Sequence, residues 1–159
     1  MHIVLIEPEI PPNTGNIARL CAATRTHLHL IEPFGFKLDD NQLKRAGMDY
    51  WQHVQWQRWP NWAAFHQALP PHVRLWFVES HGPRLYTEAA FAAEDYLVFG
   101  RETAGLPRML LQQHRERWLR IPMFNPDARS LNLSNCAAIV LFEALRQQGF
   151  RDESSCLRG

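Results

Sequence analysis

Short apolar runs alternate along this chain with segments of helical period. Residues 2–7 form a brief apolar run that predicts a strand. In 13–24, Ile17, Leu20, Cys21 and Thr24 recur at helical spacing. A second strand is predicted over 28–32, closed by Pro33 and Gly35. Residues 39–46 predict a short polar helix that stops at Gly47. Alternation over 53–57 predicts a strand. Asn61 and the pair Pro70-Pro71 bound a helix over 61–69. The run Leu75-Trp76-Phe77-Val78 predicts a strand over 74–79, and 96–99 predicts another. Pro107 suits the first turn of a helix reaching about residue 114. Residues 118–121 predict the last strand, and 132–148 the longest helix, ending at Gly149. This alternation predicts an α/β fold, a mostly parallel sheet with helices on both faces. Ligands of such folds sit at the carboxyl ends of strands, which directs attention to the loops after Glu7, Val78, Phe99 and Ile121.

Composition narrows the class. The 159 residues suit one domain over 1–150, with a frayed tail over 151–159. A hydrophobic share of 46% and a charged share of 21% exclude a disordered or collagen-like chain. No uncharged apolar run approaches the roughly 18 residues that span a bilayer, so no membrane is expected. The first residues meet Glu7 at once and lack a basic stretch, so no secretory leader is expected. Net charge is +1, from 17 Lys+Arg against 16 Asp+Glu, so any polyanion must bind through a local patch. Cys21, Cys136 and Cys156 form no Cys-x-x-Cys pair, which points to the reducing cytoplasm.

Three loops carry more chemistry than their structure requires. In the first, Pro11 to Arg19, Asn13 is placed to cap a helix and Gly15 admits a close backbone. Arg19 follows on the helix surface near Asn16 and Gly15. The other reading of this segment is a capped helix with a solvated arginine. The second loop runs from Gly100 to Pro107. Its glycines have phosphate-loop spacing, yet Leu106-Pro107 stands where Lys-Ser/Thr must be, which excludes a P-loop NTPase. Two glycines around the lone carboxylate Glu102 still suggest a ligand loop. The third runs from Ile121 through Arg129, Ser130, Leu131 and Asn132 to Ser134 and Asn135, with more small polar groups than one cap needs. The segment Val78 to Gly82 is weak by itself. The eight histidines are scattered, and no metal is expected. Trp51, Trp56, Trp59 and Trp62 suit core or interface better than base stacking.

In order, Asn13-x-Gly15-x-x-x-Arg19, Gly100-x-Glu102-x-x-Gly105-Leu106-Pro107 and Ile121-Pro122-Met123…Ser130-Leu131-Asn132-Leu133-Ser134-Asn135 resemble the signatures of the SPOUT class of RNA methyltransferases. The opening from Glu7 to Asn16 is similar to one subgroup, the tRNA wobble-position (cytidine/uridine) 2′-O-methyltransferases. The resemblance covers essentially the whole chain. It implies a deep C-terminal trefoil knot, against the usual topology rule. It implies S-adenosylmethionine held by Val78, Gly100, Gly105, Ile121, Ser130 and Leu131. It makes Arg19 the residue that activates the hydroxyl, either as base or by stabilising the alkoxide while a phosphate or water takes the proton. Asn13 and Glu102 would position Arg19, and Ser130 and Asn132 would complete the pocket. The expected partner is tRNA, contacted by Arg19, Lys44, Arg45 and Arg129, with Lys37 a further candidate. The helix 132–148 has one apolar stripe, Leu133, Ala137, Val140, Leu141, Ala144 and Leu145, and a second, Ala138, Ile139 and Phe142. That surplus predicts a homodimer through the helices 13–24 and 132–148, as the resemblance also implies. Two other readings stay open on sequence: an RNA-binding knot protein without turnover, and 2′-O-methylation of rRNA.

Overall fold

The computed structural model describes residues 1–37 and 51–151. The helix expected over 39–46, with Lys44 and Arg45, lies outside these residues, as does most of the tail. Seven strands form one sheet: β1 (His2–Ile6), β2 (His27–Ile31), β3 (Trp56–Trp59), β4 (Leu75–Val78), β5 (Arg84–Leu85), β6 (Tyr96–Phe99) and β7 (Trp118–Arg120). Their order is β3-β2-β1-β6-β4-β7-β5, and every pairing is parallel. Among the described residues the α-helices are α1 (Pro11–Thr24), α2 (Trp62–Gln67), α3 (Arg108–Gln113) and α4 (Leu133–Gln147).

Successive strand residues point to opposite faces, and each face has its own core. Ile3 and Leu5 of β1, with Leu97 and Phe99 of β6, pack under Ile17, Ala18 and Cys21 of α1 and Ala137, Val140, Leu141 and Ala144 of α4. Val4 and Ile6, with Tyr96 and Val98, pack under Phe65 of α2 and Leu110 and Leu111 of α3. Sandwiched strands must be apolar on both sides, which is why the central strands read so clearly from sequence.

Local details depart from expectation in four places. Helix α1 starts at Pro11, and its flanking Ile10 offers no side-chain cap. Asn13 therefore caps nothing. It lies within the first turn and is 5% exposed, with its side chain turned toward other loops. The third strand begins at Trp56 rather than 53, because Trp51–His53 form a 3-10 turn and Val54 points into the core. Helix α3 starts at Arg108, one residue later than expected, with Pro107 at its cap position. Strand β5 has two residues, too few to show a period, and exists by pairing with β7. Asn61 caps α2 as expected, accepting from the Ala64 N–H at 2.8 Å.

Across β1, β2 and β3 a chain of rings sets its own protonation. The indole N–H of Trp59 donates to Nδ1 of His29 at 3.1 Å. An indole can only donate, so neutral His29 carries its proton on Nε2. That proton points to Nδ1 of His2, 3.1 Å away, and leaves the His2 proton on Nε2, facing Glu94 at 3.5 Å. Burial, above all, pushes both imidazoles down to about 4. Protonating either ring would set donor against donor. In the unfolded chain each titrates near 6.5, so the unfolded state binds more protons between pH 6.5 and about 4. The melting temperature should therefore fall as pH drops through that window. The fall should be shallower in His29→Gln, whose side chain is neutral throughout. Equal slopes for the two proteins in thermal melts from pH 7 to 5 would refute this account.

Candidate active site

A cleft of about 360 Å³ opens at the carboxyl ends of β4, β6 and β7. Its walls come from the three loops singled out in the sequence, together with the residues after Val78. Val78, Gly100, Gly105, Ile121, Ser130 and Leu131 all line it, as do Asn13, Glu102, Arg129 and Asn132. Residues distant in sequence meet here because parallel strands place all their outgoing loops at one end.

Glu102 binds the first loop to the second. Its carboxylate accepts the N–H groups of Glu9 at 2.8 Å and Ile10 at 3.1 Å, and the side-chain amide of Asn13 at 3.1 Å. Glu9 reciprocates by accepting from the N–H of Thr103 at 3.0 Å. Asn13 passes the connection on, because its Oδ1 accepts from Nδ2 of Asn132 at 2.9 Å. Asn132 in turn caps α4, accepting from the Ser134 N–H at 2.9 Å and the Ser134 hydroxyl at 2.6 Å. One chain of hydrogen bonds thus ties α1, the Gly100–Pro107 loop and α4 together. The Gly100 loop also closes on itself, with Arg101 and Gly105 exchanging backbone bonds at 3.1 and 2.9 Å, and Arg101 pairs with Glu7.

Glu79 performs the same task on the other side of the cleft, and sequence reasoning passed it over. Its Oε2 accepts the Leu106 N–H at 3.0 Å and its Oε1 accepts the Ser80 N–H at 2.8 Å. Gly105 sits at φ +66°, a backbone conformation that favours glycine, and a Cβ there would lie 2.1 Å from the Glu79 carboxylate and displace it. The available signal was a carboxylate placed directly after a fully buried strand. Ile10 and Met123 also line the cleft, inside motifs that gave them no role, and Phe99 lines it without being marked by any motif. Cys136 also lines the cleft, and burial pushes its thiol up to about 11.

Arg19 is the one expected catalytic residue that this cleft does not gather. It stands exposed on the surface of α1, outside the lining. Among the described residues no cluster of three His, Cys, Asp or Glu could hold a metal, and no helix is long and apolar enough to cross a membrane.

A parallel sheet in this order, with its C-terminal loops converging on one cleft, defines the SPOUT class of α/β-knot folds, whose C-terminal part forms a trefoil knot. A model of the SpoU rRNA methylase family matches residues 1–142. The tRNA (cytidine(34)-2′-O)-methyltransferase of Saccharophagus degradans is 52% identical over 152 residues, covering 94% of this chain and 96% of its own. Its counterpart in Burkholderia cenocepacia is 50% identical over 151 residues, with the same coverage. A solved structure concerned with 2-OH methylation of C/U34 on tRNA superposes with a TM-score of 0.87 at 46% identity, covering 93% of this chain and 95% of that one. An AdoMet-bound rRNA methyltransferase from Sinorhizobium meliloti gives 0.76 at 26% identity, covering 91% of this chain and 55% of that one. This chain belongs to the SpoU methylase family and, within it, to the tRNA (cytidine(34)-2′-O)-methyltransferases.

If the Glu102 hub holds the loops together, its charge matters as well as its shape. Glu102→Gln exchanges one acceptor oxygen for a donor and should cost about 1.5–3 kcal/mol, the range for bonds to a charged group. Urea unfolding checks this, and an unchanged midpoint would show that the hub carries no stability.

Proposed function

We propose that this chain transfers a methyl group from S-adenosylmethionine to the ribose 2′-hydroxyl of the wobble nucleotide, cytidine or uridine, in the tRNA anticodon loop. The observation that carries the reading is the convergence of all three signature loops on one cleft, in a chain about half identical to such enzymes over nearly its whole length. The fit is chemical as well. Val78, Phe99, Ile121 and Leu131 supply apolar walls for an adenine, and the backbones at Gly100 and Gly105 can approach its edge. When bound, the cofactor supplies a methyl group already activated on a sulfonium.

The chain must then orient the hydroxyl and manage its proton. Asn13, Glu102 and Asn132 fix the start of α1, from whose surface Arg19 projects. A guanidinium stays protonated, so Arg19 acts in this reading as a fixed cation. It binds the adjoining phosphate and stabilises the developing alkoxide, while the proton leaves to phosphate or water. Ser130 and Asn132 complete the wall where the ribose enters.

Because Arg19 lies outside its own cleft, the reading includes a homodimer through α1 and α4, in which a second copy brings such a surface to the site. Exposed apolar groups support it: Phe142 on α4 is 49% exposed and Ile10, just before α1, is 42% exposed. The reading sets the protein in the cytoplasm, consistent with Cys21 and Cys136 as free thiols. Arg129, exposed at the mouth of the cleft, would contact tRNA phosphates.

Purified protein with labelled S-adenosylmethionine and bulk tRNA should methylate one anticodon-loop ribose, located by mass spectrometry. No incorporation would favour an RNA-binding protein without turnover. Arg19→Ala should slow methylation by about 10²–10³-fold, the usual loss for a transition-state donor. Its affinity for S-adenosylhomocysteine should stay unchanged in titration calorimetry. Near-normal turnover would remove Arg19 from the mechanism. Sedimentation at micromolar concentration should show a dimer, and a monomer would overturn the shared site.

A further inference from the structure

One aromatic ring near the cleft has no structural employment. Phe124 is 94% exposed, the most exposed of the large apolar side chains described. It follows Met123, which lines the cleft, on the loop that also supplies Arg129, Ser130 and Leu131 to the lining. The loop does not leave the ring's position to chance. Pro122 and Pro126 stiffen the backbone on either side. Asn125 closes a turn, its Oδ1 accepting the Asp127 N–H at 2.9 Å and its carbonyl the Ala128 N–H at 3.2 Å. Phe124 is thus held out into solvent beside the site by a built turn.

We infer that Phe124 is a stacking platform for a nucleobase of the bound RNA adjoining the reacting ribose. The inference rests on the reading that the cleft methylates an RNA ribose. When a ribose 2′-hydroxyl enters the cleft, its base and those of its neighbours remain at the mouth. Unstacked loop bases are commonly received on exposed aromatic rings. The surroundings match this occupant. Arg129 lies five residues along the same loop and is exposed, which suits the phosphates of a stacked nucleotide. The polar neighbours Asn125 and Asp127 do not suit burial under an apolar protein surface. Phe124 lies on the loop after β7, whereas the homodimer proposed above uses α4, where Phe142 is exposed.

The test is equilibrium binding of an anticodon stem–loop RNA, which reads affinity whether or not methyl transfer occurs. Phe124→Ala should weaken binding about five- to 150-fold, the span of one base–aromatic stack. Phe124→Trp should stay close to wild type, and Phe124→Leu should resemble Ala, because area without a π-face does not stack. In a double-mutant cycle, an abasic nucleotide beside the target should weaken the wild-type protein, and the same RNA should gain nothing further from Phe124→Ala. Affinity for S-adenosylhomocysteine should not change. Equal RNA affinity of wild type and Phe124→Ala overturns the inference, as does a Phe124→Ala protein that sediments as a monomer where wild type is a dimer. Wild-type protein that binds the RNA through Phe124 but never methylates it would defeat the functional reading and leave the stacking role intact.

Discussion

The carboxylate of Glu102 is the group on which the rest of the site depends. It receives two backbone amides and the Asn13 side chain from a segment about ninety residues earlier, and Asn13 relays the tie to Asn132. Bonds to a charged acceptor are roughly twice as strong as neutral ones, and here three converge on one group. The sheet's own pairing does not orient the start of α1 against the Gly100 loop; these bonds do, with help from Glu9–Thr103 and Glu7–Arg101. The sheet brings these loops to one end; the Glu102 network decides how they face each other. Asn132 serves the network and the cap of α4 together, so that the longest helix starts where the cleft needs its polar groups.

The sheet makes this possible because it is covered on both faces. Its central strand, β6, is fully buried, with β1 and β4 as parallel neighbours. Two separate cores, one under α1 and α4 and one under α2 and α3, hold the strand ends rigid. A rigid platform is what allows loop residues to act as chemistry rather than as packing. The same arrangement explains the leftover apolar surface on α4. Only one stripe of that helix can face the sheet, and Phe142 remains outside.

What the sequence discloses follows from the kind of force involved. Buried strands and helices with an apolar stripe declare themselves by period, and β1, β4, β6 and α4 fall within a residue or two of where the pattern puts them. Edge structure does not. β3 reads Trp-Gln-Arg-Trp with little burial, and β5 is only a two-residue pairing, so neither has a hydrophobic signature. Single-residue roles are harder still. Asn13 looks like a cap because a polar residue near a helix start commonly is one, yet its partners are Glu102 and Asn132, far away in sequence. Glu79 was hidden for the same reason, since its work depends on Leu106 arriving beside it. The three motifs contain most of the lining of the cleft, but no motif reveals that Arg19 lies outside it.

The two ends of the sheet show why the chemistry is confined to one of them. At the amino end polar side chains satisfy each other. Asp95, 2% exposed, receives both Nε and Nη2 of Arg74, the Trp76 indole and the Ala92 N–H, which cancels its charge in place. His2, at the start of β1, likewise meets His29 in a chain of rings that runs across the sheet to Trp59. At the carboxyl end Glu79 and Glu102 hold backbone amides rather than cations, so each keeps acceptor capacity toward the cleft. The exposed guanidinium of Arg129 stands at the mouth. An interior of carboxylates steadied by amide dipoles suits a positively charged sulfonium donor, and a cationic rim suits a polyanion. The chain's net charge of +1 conceals this arrangement, because Glu79, Glu102 and Arg129 all line one cleft.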